Sequence, residues 1–250
     1  MTAAAKRLID IAVSALILIA AAPIVLVAGF LIWRQDGASF LFVQDRVGKN
    51  GRPFKLYKLR SMTVRPAGQT SVDTTSRNDP RITAVGQTIR KWKIDELPQA
   101  WNVLKGDMSL VGPRPQILPE AARYTAEEQR LFTVKPGITD LASIVFFDLE
   151  EIAASQPDPN VAYHQLVRPW KSRLGLFYVA HGTLRLDVVI FTMTFAAFVA
   201  RRTALRVLAR EVARSGAGQD LVEIILRDAA LTPAPPPGRA EIVTAAEIAS

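Results

Sequence analysis

An uncharged apolar run from residue 11 to residue 33 constrains this chain more than any other feature. As an α-helix it would extend roughly 35 Å, enough to cross a bilayer hydrocarbon core of about 30 Å. A cleaved signal peptide is disfavoured, because the run is too long for one and ends in Trp33 and Arg34. Two interpretations remain: a straight transmembrane helix, and a re-entrant helix that enters the membrane and returns to the same side.

Pro23 lies near the middle of this run and favours the re-entrant form. Proline removes a backbone hydrogen bond and clashes with the preceding turn, so it should bend the helix into halves about one leaflet deep. Both flanks are basic, with Lys6 and Arg7 before the run and Arg34 after it. Because basic flanks tend to stay in the cytoplasm, a straight crossing would suit only one of them. On these residues alone both forms stay open.

Charge and cysteine usage restrict the chemistry. The chain of 250 residues has a net charge of +8, no cysteine and two histidines without ligand spacing, His164 and His181. This composition excludes disulfides and thiolate nucleophiles, and it predicts no histidine-based metal site. Residues 1–61 carry nine basic and three acidic residues. Next to an apolar anchor, that excess predicts attraction to anionic lipids.

Strand-forming residues are concentrated at 40–46 and at 54–59. Asn50-Gly51 lies between these segments, so the pattern predicts a β-hairpin. Residues 65–80 are rich in Thr, Ser, Asn and Pro and predict a loop. Together with the helical patterns, the hairpin predicts an α+β fold that is mainly helical.

Helical spacing predicts one helix over 82–93 and a second that ends at Gly106. Asp95 reads as the N-cap of the second helix, with Pro98 in its first turn. Further along the chain, spacing and turn chemistry predict a turn at 111–115, a charged helix over 119–132, a mixed helix over 159–180 and an interfacial helix over 184–202.

Asp95 and Glu96 stand side by side at this predicted helix start. Taken alone, such a pair is ordinary capping chemistry, worth about 1 kcal/mol. Its neighbours favour a reactive site, because helix N–H groups would keep Asp95 ionised as a nucleophile and Glu96 offers a carboxylate to Mg²⁺. Arg114, held between two prolines, is either a bidentate phosphate clamp or an ion pair that pins the turn.

At these residues the chain resembles the bacterial sugar transferases of the monotopic polyprenyl-phosphate phosphoglycosyl transferase family. The similarity extends over roughly residues 5–200. The blocks that carry it are K-R-L-I-D at 6–10, Q-D-R-V-G at 44–48, F-K-L-Y-K-L-R-S-M at 54–62, D-E-L-P-Q at 95–99, N-V-L-K-G-D-M-S-L-V-G-P-R-P at 102–115 and P-G-I-T at 136–139.

The resemblance implies transfer of a phosphosugar from a UDP-sugar to polyprenyl (undecaprenyl) phosphate, with release of UMP. This would be the first membrane step of exopolysaccharide, O-antigen or capsule synthesis. It implies that Asp95 forms a covalent phosphosugar intermediate and that Glu96 binds Mg²⁺. The residues expected to contact phosphates are Lys58, Arg60, Arg90 and Arg114.

The resemblance also implies an organisation in three parts. These are a re-entrant membrane helix at 1–36, a catalytic domain at 37–202 that includes the interfacial helix, and a C-terminal extension with a proline-rich tail at 203–250. The protein would lie on the cytoplasmic face of the bacterial inner membrane. Expected partners are a UDP-sugar, polyprenyl phosphate and anionic lipids, with no nucleic acid. The oligomeric state, a homodimer included, stays open.

Two departures from the family pattern stand out. Ala22 precedes Pro23 where the family has a serine, so the serine that would bond the kinked backbone is missing. The family's P-G-I-T-G-x-x-Q reads P-G-I-T-D-L-A-S here, with Asp140 in place of glycine and Ser143 in place of glutamine. If that turn touches the donor, the sugar preference differs, and Asp140 is the first residue to suspect.

A different class of function is a membrane-anchored basic module that binds lipid headgroups or a partner without catalysis. The Asp95-Glu96 pair, with Lys58 and Arg114, argues against it, because a binding module has no need of those residues. The chain has neither the G-x-S-x-G motif of serine hydrolases nor the G-x-G-x-x-G motif of dinucleotide-binding proteins.

Overall fold

The structure, a computed structural model, describes residues 3–63, 79–154 and 157–249. These residues form a mainly helical protein with two small two-stranded sheets, which confirms the predicted α+β class. The strands are β1 (Leu41–Val47), β2 (Pro53–Leu59), β3 (Ser109–Val111) and β4 (Gly137–Thr139). The helices are α1 (Ala3–Asp36), α2 (Ala84–Lys91), α3 (Gln99–Lys105), α4 (Leu118–Ala122), α5 (Leu141–Val145), α6 (Leu149–Ala154), α7 (Pro159–Ala162), α8 (Arg168–His181), α9 (Leu184–Arg214), α10 (Gln219–Leu226) and α11 (Ala245–Ala249).

Helix α1 contains the apolar run and is continuous across Pro23. Its buried side chains recur at helical spacing along the whole length, at Asp10, Ser14, Ala21, Ala28 and Ile32. One face of α1 therefore packs against the rest of the protein. The opposite face exposes large apolar side chains, among them Leu16, Ile19, Leu26 and Phe30. By length and composition, α1 and α9 could each cross a membrane.

The first turns of α1 are attached to the protein by the charged residues of the K-R-L-I-D block. Among these contacts, Lys6 Nζ donates to Asp187 Oδ2 at 2.6 Å, Arg7 Nη1 donates to the Val103 carbonyl oxygen at 2.6 Å, and Asp10 Oδ1 accepts from the Leu110 amide at 3.0 Å. At the other end, Asp36 pairs with Arg60, and Ile32 packs against Leu59 and Ile89. Both ends of α1 thus contact the same folded body.

The predicted hairpin is confirmed. Strands β1 and β2 are antiparallel, with Asp45 opposite Lys55 and Phe42 opposite Lys58. Asn50 and Gly51 have φ values of 57° and 74°, which lie in the left-handed region. Asparagine and glycine adopt this conformation more readily than other residues, which explains their preference for tight hairpin turns.

Strands β3 and β4 form a short parallel pair that local sequence patterns do not reveal. Two glycines allow the approach, because a Cβ on Gly137 would lie 2.1 Å from the Gly112 amide nitrogen. The Gly112 amide donates to the Thr139 carbonyl oxygen at 3.1 Å, and the Gly137 amide donates to the Pro113 carbonyl oxygen at 3.1 Å. These bonds join the V-G-P-R-P turn to the P-G-I-T block.

The main hydrophobic core includes residues from both sides of position 202. Val103, Val145 and Leu174 contribute from the part before it. The extension adds a further set of buried side chains, namely Ala204, Leu205, Leu208, Val212, Leu221 and Ile225. Helix α9 runs through this position with a kink at Ala200, where φ is −137° and ψ is 58°. Residues 204–225 are therefore packed as part of the folded body.

The single helix predicted over 119–132 is wrong. The chain instead forms α4, ending at Ala122, and a separate 3₁₀ turn over Glu128–Thr133. Thr125 and Glu128 cause the break, because the Thr125 amide donates to Glu128 Oε2 at 3.0 Å and the Glu128 amide donates to Thr125 Oγ1 at 3.1 Å. This reciprocal capping starts a new helical turn. Most of the loop predicted at 65–80 lies outside the described residues.

Candidate active site

The backbone around Asp95 differs from the predicted helix start. Lys93 has a left-handed φ of 55°, and a 3₁₀ turn follows over Ile94–Glu96. Helix α3 begins only at Gln99, so Asp95 is not its N-cap, and that prediction is wrong. The reversal at Lys93 turns the Asp95 side chain inward, leaving the residue 5% exposed. Its Oδ1 atom is buried, and no described residue forms a hydrogen bond with it.

Glu96 is the centre of a charged cluster that the fold assembles from three distant segments. Arg114 Nη1 donates to Glu96 Oε2 at 3.2 Å and Nη2 donates to Oε1 at 2.5 Å, so the contact is bidentate. Lys58 Nζ, from β2, donates to Glu96 Oε1 at 3.3 Å. Arg114 therefore forms an ion pair, which was one of the two alternatives for it. The other alternative, a bidentate phosphate clamp, is compatible with the same fork geometry of the guanidinium.

The two neighbouring carboxyl groups have opposite electrostatic environments. Burial alone would raise the pKa of Glu96, but Arg114 and Lys58 hold it well below its usual range. Burial raises the pKa of Asp95, and the Glu96 charge adds to that effect while Lys58 opposes it. Asp95 is thus a poorly solvated carboxyl group beside a firmly ionised one. The prediction that helix N–H groups keep Asp95 ionised is therefore wrong in direction, because burial raises its pKa.

Arg46 belongs to the same region and was not predicted as a site residue. Burial and the nearby Arg114 charge lower its pKa to about 10. Its Nη1 donates to the Pro115 carbonyl oxygen at 3.2 Å, while Nε is buried and finds no acceptor within residues 3–63, 79–154 and 157–249. The hairpin register could have identified it, because Arg46 and Lys58 lie on the same face of the β1–β2 pair.

Arg90 and Arg60 have other partners in the structure. Arg90, in the last turn of α2, pairs with Glu150, although its charge also acts on Asp95. Arg60 donates to both carboxylate oxygens of Asp36 and to the Ser39 carbonyl oxygen. The structure therefore brings Lys58, Asp95, Glu96 and Arg114 together. It directs the Arg60 guanidinium to the end of α1.

Arg60→Gln is expected to weaken the attachment of α1 without weakening the binding of a nucleotide diphosphate. The reason is that its donors are all directed to the segment 36–39. We expect a lower unfolding temperature and less than about a twofold change in the Kd for UDP, measured by calorimetry. Arg52→Gln, at an exposed hairpin position, is the control. A clear loss of UDP affinity for Arg60→Gln alone would instead support the predicted role of Arg60 as a phosphate ligand.

The two departures from the family pattern, Asp140 and Ser143, contact each other. Asp140 Oδ1 accepts from the Ser143 amide at 2.7 Å and from Ser143 Oγ at 2.5 Å, which caps α5. Its Oδ2 accepts from the Arg114 amide at 3.3 Å. Asp140 is 5% exposed, so its carboxylate is engaged in holding the turn that carries Arg114.

The chain is similar to known proteins over most of its length. A family model described as "Bacterial sugar transferase" matches residues 1–201. The chain is 37% identical over 198 residues to a UDP-glucose:undecaprenyl-phosphate glucose-1-phosphate transferase of Klebsiella pneumoniae, an alignment that covers 78% of this chain and 40% of the relative.

Two further relatives match a shorter part of the chain. An undecaprenyl-phosphate galactose phosphotransferase of Salmonella typhimurium is 42% identical over 150 residues, covering 54% of this chain and 31% of the relative. A putative undecaprenyl-phosphate N-acetylgalactosaminyl 1-phosphate transferase of Bacillus subtilis is 47% identical over 113 residues, covering 45% and 63% respectively. The chain thus spans between 31% and 63% of the length of these three relatives.

Proposed function

The chain belongs to the bacterial sugar transferase family, and we propose that it transfers a sugar 1-phosphate from a UDP-sugar to undecaprenyl phosphate, releasing UMP. Such a transfer would initiate the synthesis of a surface polysaccharide. The observation that carries the proposal is the buried Asp95 carboxylate beside Glu96, which Arg114 and Lys58 both contact. Two relatives are named as undecaprenyl-phosphate transferases, one for galactose and one for glucose. These names support a UDP-sugar and undecaprenyl phosphate as the substrate classes.

Asp95 is the nucleophile in this proposal. One of its carboxylate oxygens attacks the phosphorus that bears the sugar, and the bond from that phosphorus to the bridging oxygen breaks, so that UMP leaves with the electron pair. A phosphate oxygen of undecaprenyl phosphate then attacks the same phosphorus and breaks its bond to Asp95, which regenerates the carboxylate. Burial favours the attack because the Asp95 anion is poorly hydrated.

Arg114 and Lys58 supply the positive charge that the diphosphate requires. In the structure both are directed to Glu96, so an incoming phosphate competes with that carboxylate for the same donors. A fixed guanidinium fork stabilises charge that develops on phosphate oxygens without further reorganisation. Asp140 holds the Arg114 amide and so helps to position this fork.

The family resemblance implies Mg²⁺, and the donor chemistry of the site fits it. Asp95 Oδ1 is a buried carboxylate oxygen to which no residue in the described part of the chain donates a hydrogen bond, and Glu96 is the next residue. Among the described residues no group of three or more acidic, histidine or cysteine side chains could hold a metal alone. Glu96 would therefore hold the ion together with phosphate oxygens and water, and Asp95 would be left free to attack. When bound, it would neutralise part of the charge on the diphosphate.

We further propose a monotopic protein on the cytoplasmic face of the inner membrane, and the placement of α1 supports the monotopic arrangement. Lys6 and Asp36, at opposite ends of α1, both bind residues of the folded body. A helix that crossed the bilayer would have to separate one of these ends from that body. A re-entrant or interfacial position keeps both contacts and turns the exposed apolar face toward lipid.

Single cysteines at the two ends of α1 should be labelled from the same side of the membrane. Ala4→Cys and Gln35→Cys are both at exposed positions, and the chain has no other cysteine. In inverted inner-membrane vesicles, which expose the cytoplasmic face, we expect a membrane-impermeant maleimide to label both variants. Labelling of only one end in intact vesicles would establish a true crossing and exclude the monotopic placement.

A screen of UDP-sugars tests the proposed activity. The protein in lipid is incubated with Mg²⁺, undecaprenyl phosphate and each UDP-sugar in turn, and UMP is measured. We expect UMP release with at least one donor, coupled to formation of a lipid-linked sugar phosphate. If the folded protein releases UMP from none of a comprehensive set of donors, the transferase proposal is wrong and a non-catalytic binding module becomes the better account.

A further inference from the structure

The segment Phe146–Glu150 contacts two cationic side chains that precede Asp95 in the chain. Glu150 pairs with Arg90, at the end of α2. The Phe147 ring lies 5.8 Å from Lys93 Nζ, a cation–π distance. Lys93 lies two residues before Asp95, directly ahead of the 3₁₀ turn Ile94–Glu96, and Arg90 lies three residues before Lys93. The charges of both residues oppose the rise that burial causes in the Asp95 pKa. This segment therefore borders the candidate active site on the side of Arg90 and Lys93.

The same segment is bound by arginines of helix α9 and of the end of helix α10. Asp148 accepts from two arginines, with Arg201 Nη2 at 2.8 Å from Oδ1 and Arg227 Nη2 at 3.1 Å from Oδ2. The Arg227 guanidinium also lies 5.5 Å from the centre of the Phe146 ring. One carboxylate thus joins helix α9, beyond its kink at Ala200, to the end of α10.

Arg227 is well placed to act as a rigid anchor. It ends α10 in a left-handed conformation with φ 55°, and the helix before it buries Leu221 and Ile225 in the main core. Its side chain is only 16% exposed. Arg227 lies beyond residue 201, where the family match ends. Nothing in the family match therefore assigns it a part in the reaction.

We propose that Arg227 is a positioning residue for the transfer reaction: it fixes Phe146–Glu150 through Asp148, and that segment in turn places Arg90 and Lys93 beside Asp95. The C-terminal extension is thereby a part of the donor-binding apparatus. This inference rests on the proposed function only for its kinetic consequence. The structural coupling from Arg227 to residues 90–96 can be measured without turnover.

The test compares Arg227→Gln, Arg227→Lys and the control Arg239→Gln. Arg239 pairs with Glu247 elsewhere in the extension, so the control also removes one arginine–carboxylate pair. For Arg227→Gln we expect the KM for the UDP-sugar to rise about fivefold with kcat nearly unchanged. The reason is that the expected contact between Arg90 and a donor phosphate, which ground and transition states share, would be weakened. Arg227→Lys should recover most of the affinity, and Arg239→Gln should resemble the wild type.

Hydrogen exchange supplies the second readout. In Arg227→Gln the amides of residues 88–96 and 146–150 should exchange several times faster than in Arg239→Gln, because local opening becomes easier. A lower kcat at constant KM, with unchanged exchange at 88–96, would mean that Arg227 only supports folding and would overturn the inference. A wild-type protein that releases no UMP would contradict the proposed function, while the exchange result would still decide the coupling.

Discussion

Asp95→Asn is expected to lower the rate of UMP release by at least about a thousandfold, since an amide cannot replace the attacking carboxylate. Asparagine keeps the shape of the side chain, so the fold and membrane binding should persist. UMP release in lipid measures the loss, and Asp45→Asn, at an exposed ion pair of the hairpin, serves as the control. Substantial turnover by Asp95→Asn would remove Asp95 as the nucleophile.

The same substitution should not destabilise the fold at neutral pH. Burial raises the pKa of Asp95 in the folded protein, so the folded state binds this proton more tightly than the unfolded chain does. The stability that this proton contributes is present below the unfolded pKa of about 4 and is lost as the pH rises through the folded pKa. At a pH above the unfolded pKa, the buried carboxyl group therefore costs stability. Removing it should leave the unfolding temperature equal to or above that of the wild type, measured by scanning calorimetry.

Arg114→Lys is expected to reduce kcat/KM by about a hundredfold, the size typical for loss of one preorganised charge-stabilising donor. A lysine retains the charge but cannot form the two parallel bonds that the Arg114 guanidinium makes with Glu96 and would make with phosphate. Lysine is the useful replacement, because Arg114→Ala would leave Glu96 buried without its main partner at a cost of about 3–5 kcal/mol.

Steady-state kinetics over a range of UDP-sugar concentrations would measure the effect of Arg114→Lys. Arg52→Lys, at an exposed position of the hairpin, makes the same chemical change outside the site. Both variants should unfold at temperatures close to that of the wild type. If Arg114→Lys were as active as Arg52→Lys, a simple positive charge would suffice and the bidentate fork would have no part in the reaction.

Local sequence patterns predicted those elements whose cause is local. The hairpin at 41–59 follows from Asn50-Gly51, and the end of α3 follows from Gly106, which has a φ of 99°. The predicted N-cap at Asp95 failed because Lys93 adopts a left-handed conformation that a non-glycine residue rarely takes. The predicted helix over 119–132 failed because a second capping signal, at Thr125 and Glu128, lies inside it.

The structure gives a further role to Asp140, the first residue to suspect if its turn touches the donor. Its carboxylate binds Ser143 and the Arg114 amide, so it acts on the turn. The sequence alone shows that Asp140 replaces a glycine of the family pattern, but it does not show which groups the carboxylate contacts. The contact with Ser143 shows that the two departures act together, as a cap for α5.

The sequence by itself determined the family, the long apolar helix and the residue types that the chemistry requires, because these depend on composition and on the order of residues along the chain. Only the tertiary structure decided which charges meet. Glu96 joins Lys58 and Arg114 across 38 and 18 positions, while Arg60 turns to Asp36. It also decided the direction of the Asp95 pKa, since a carboxyl group's burial and its distance to other charges are set by packing between distant segments.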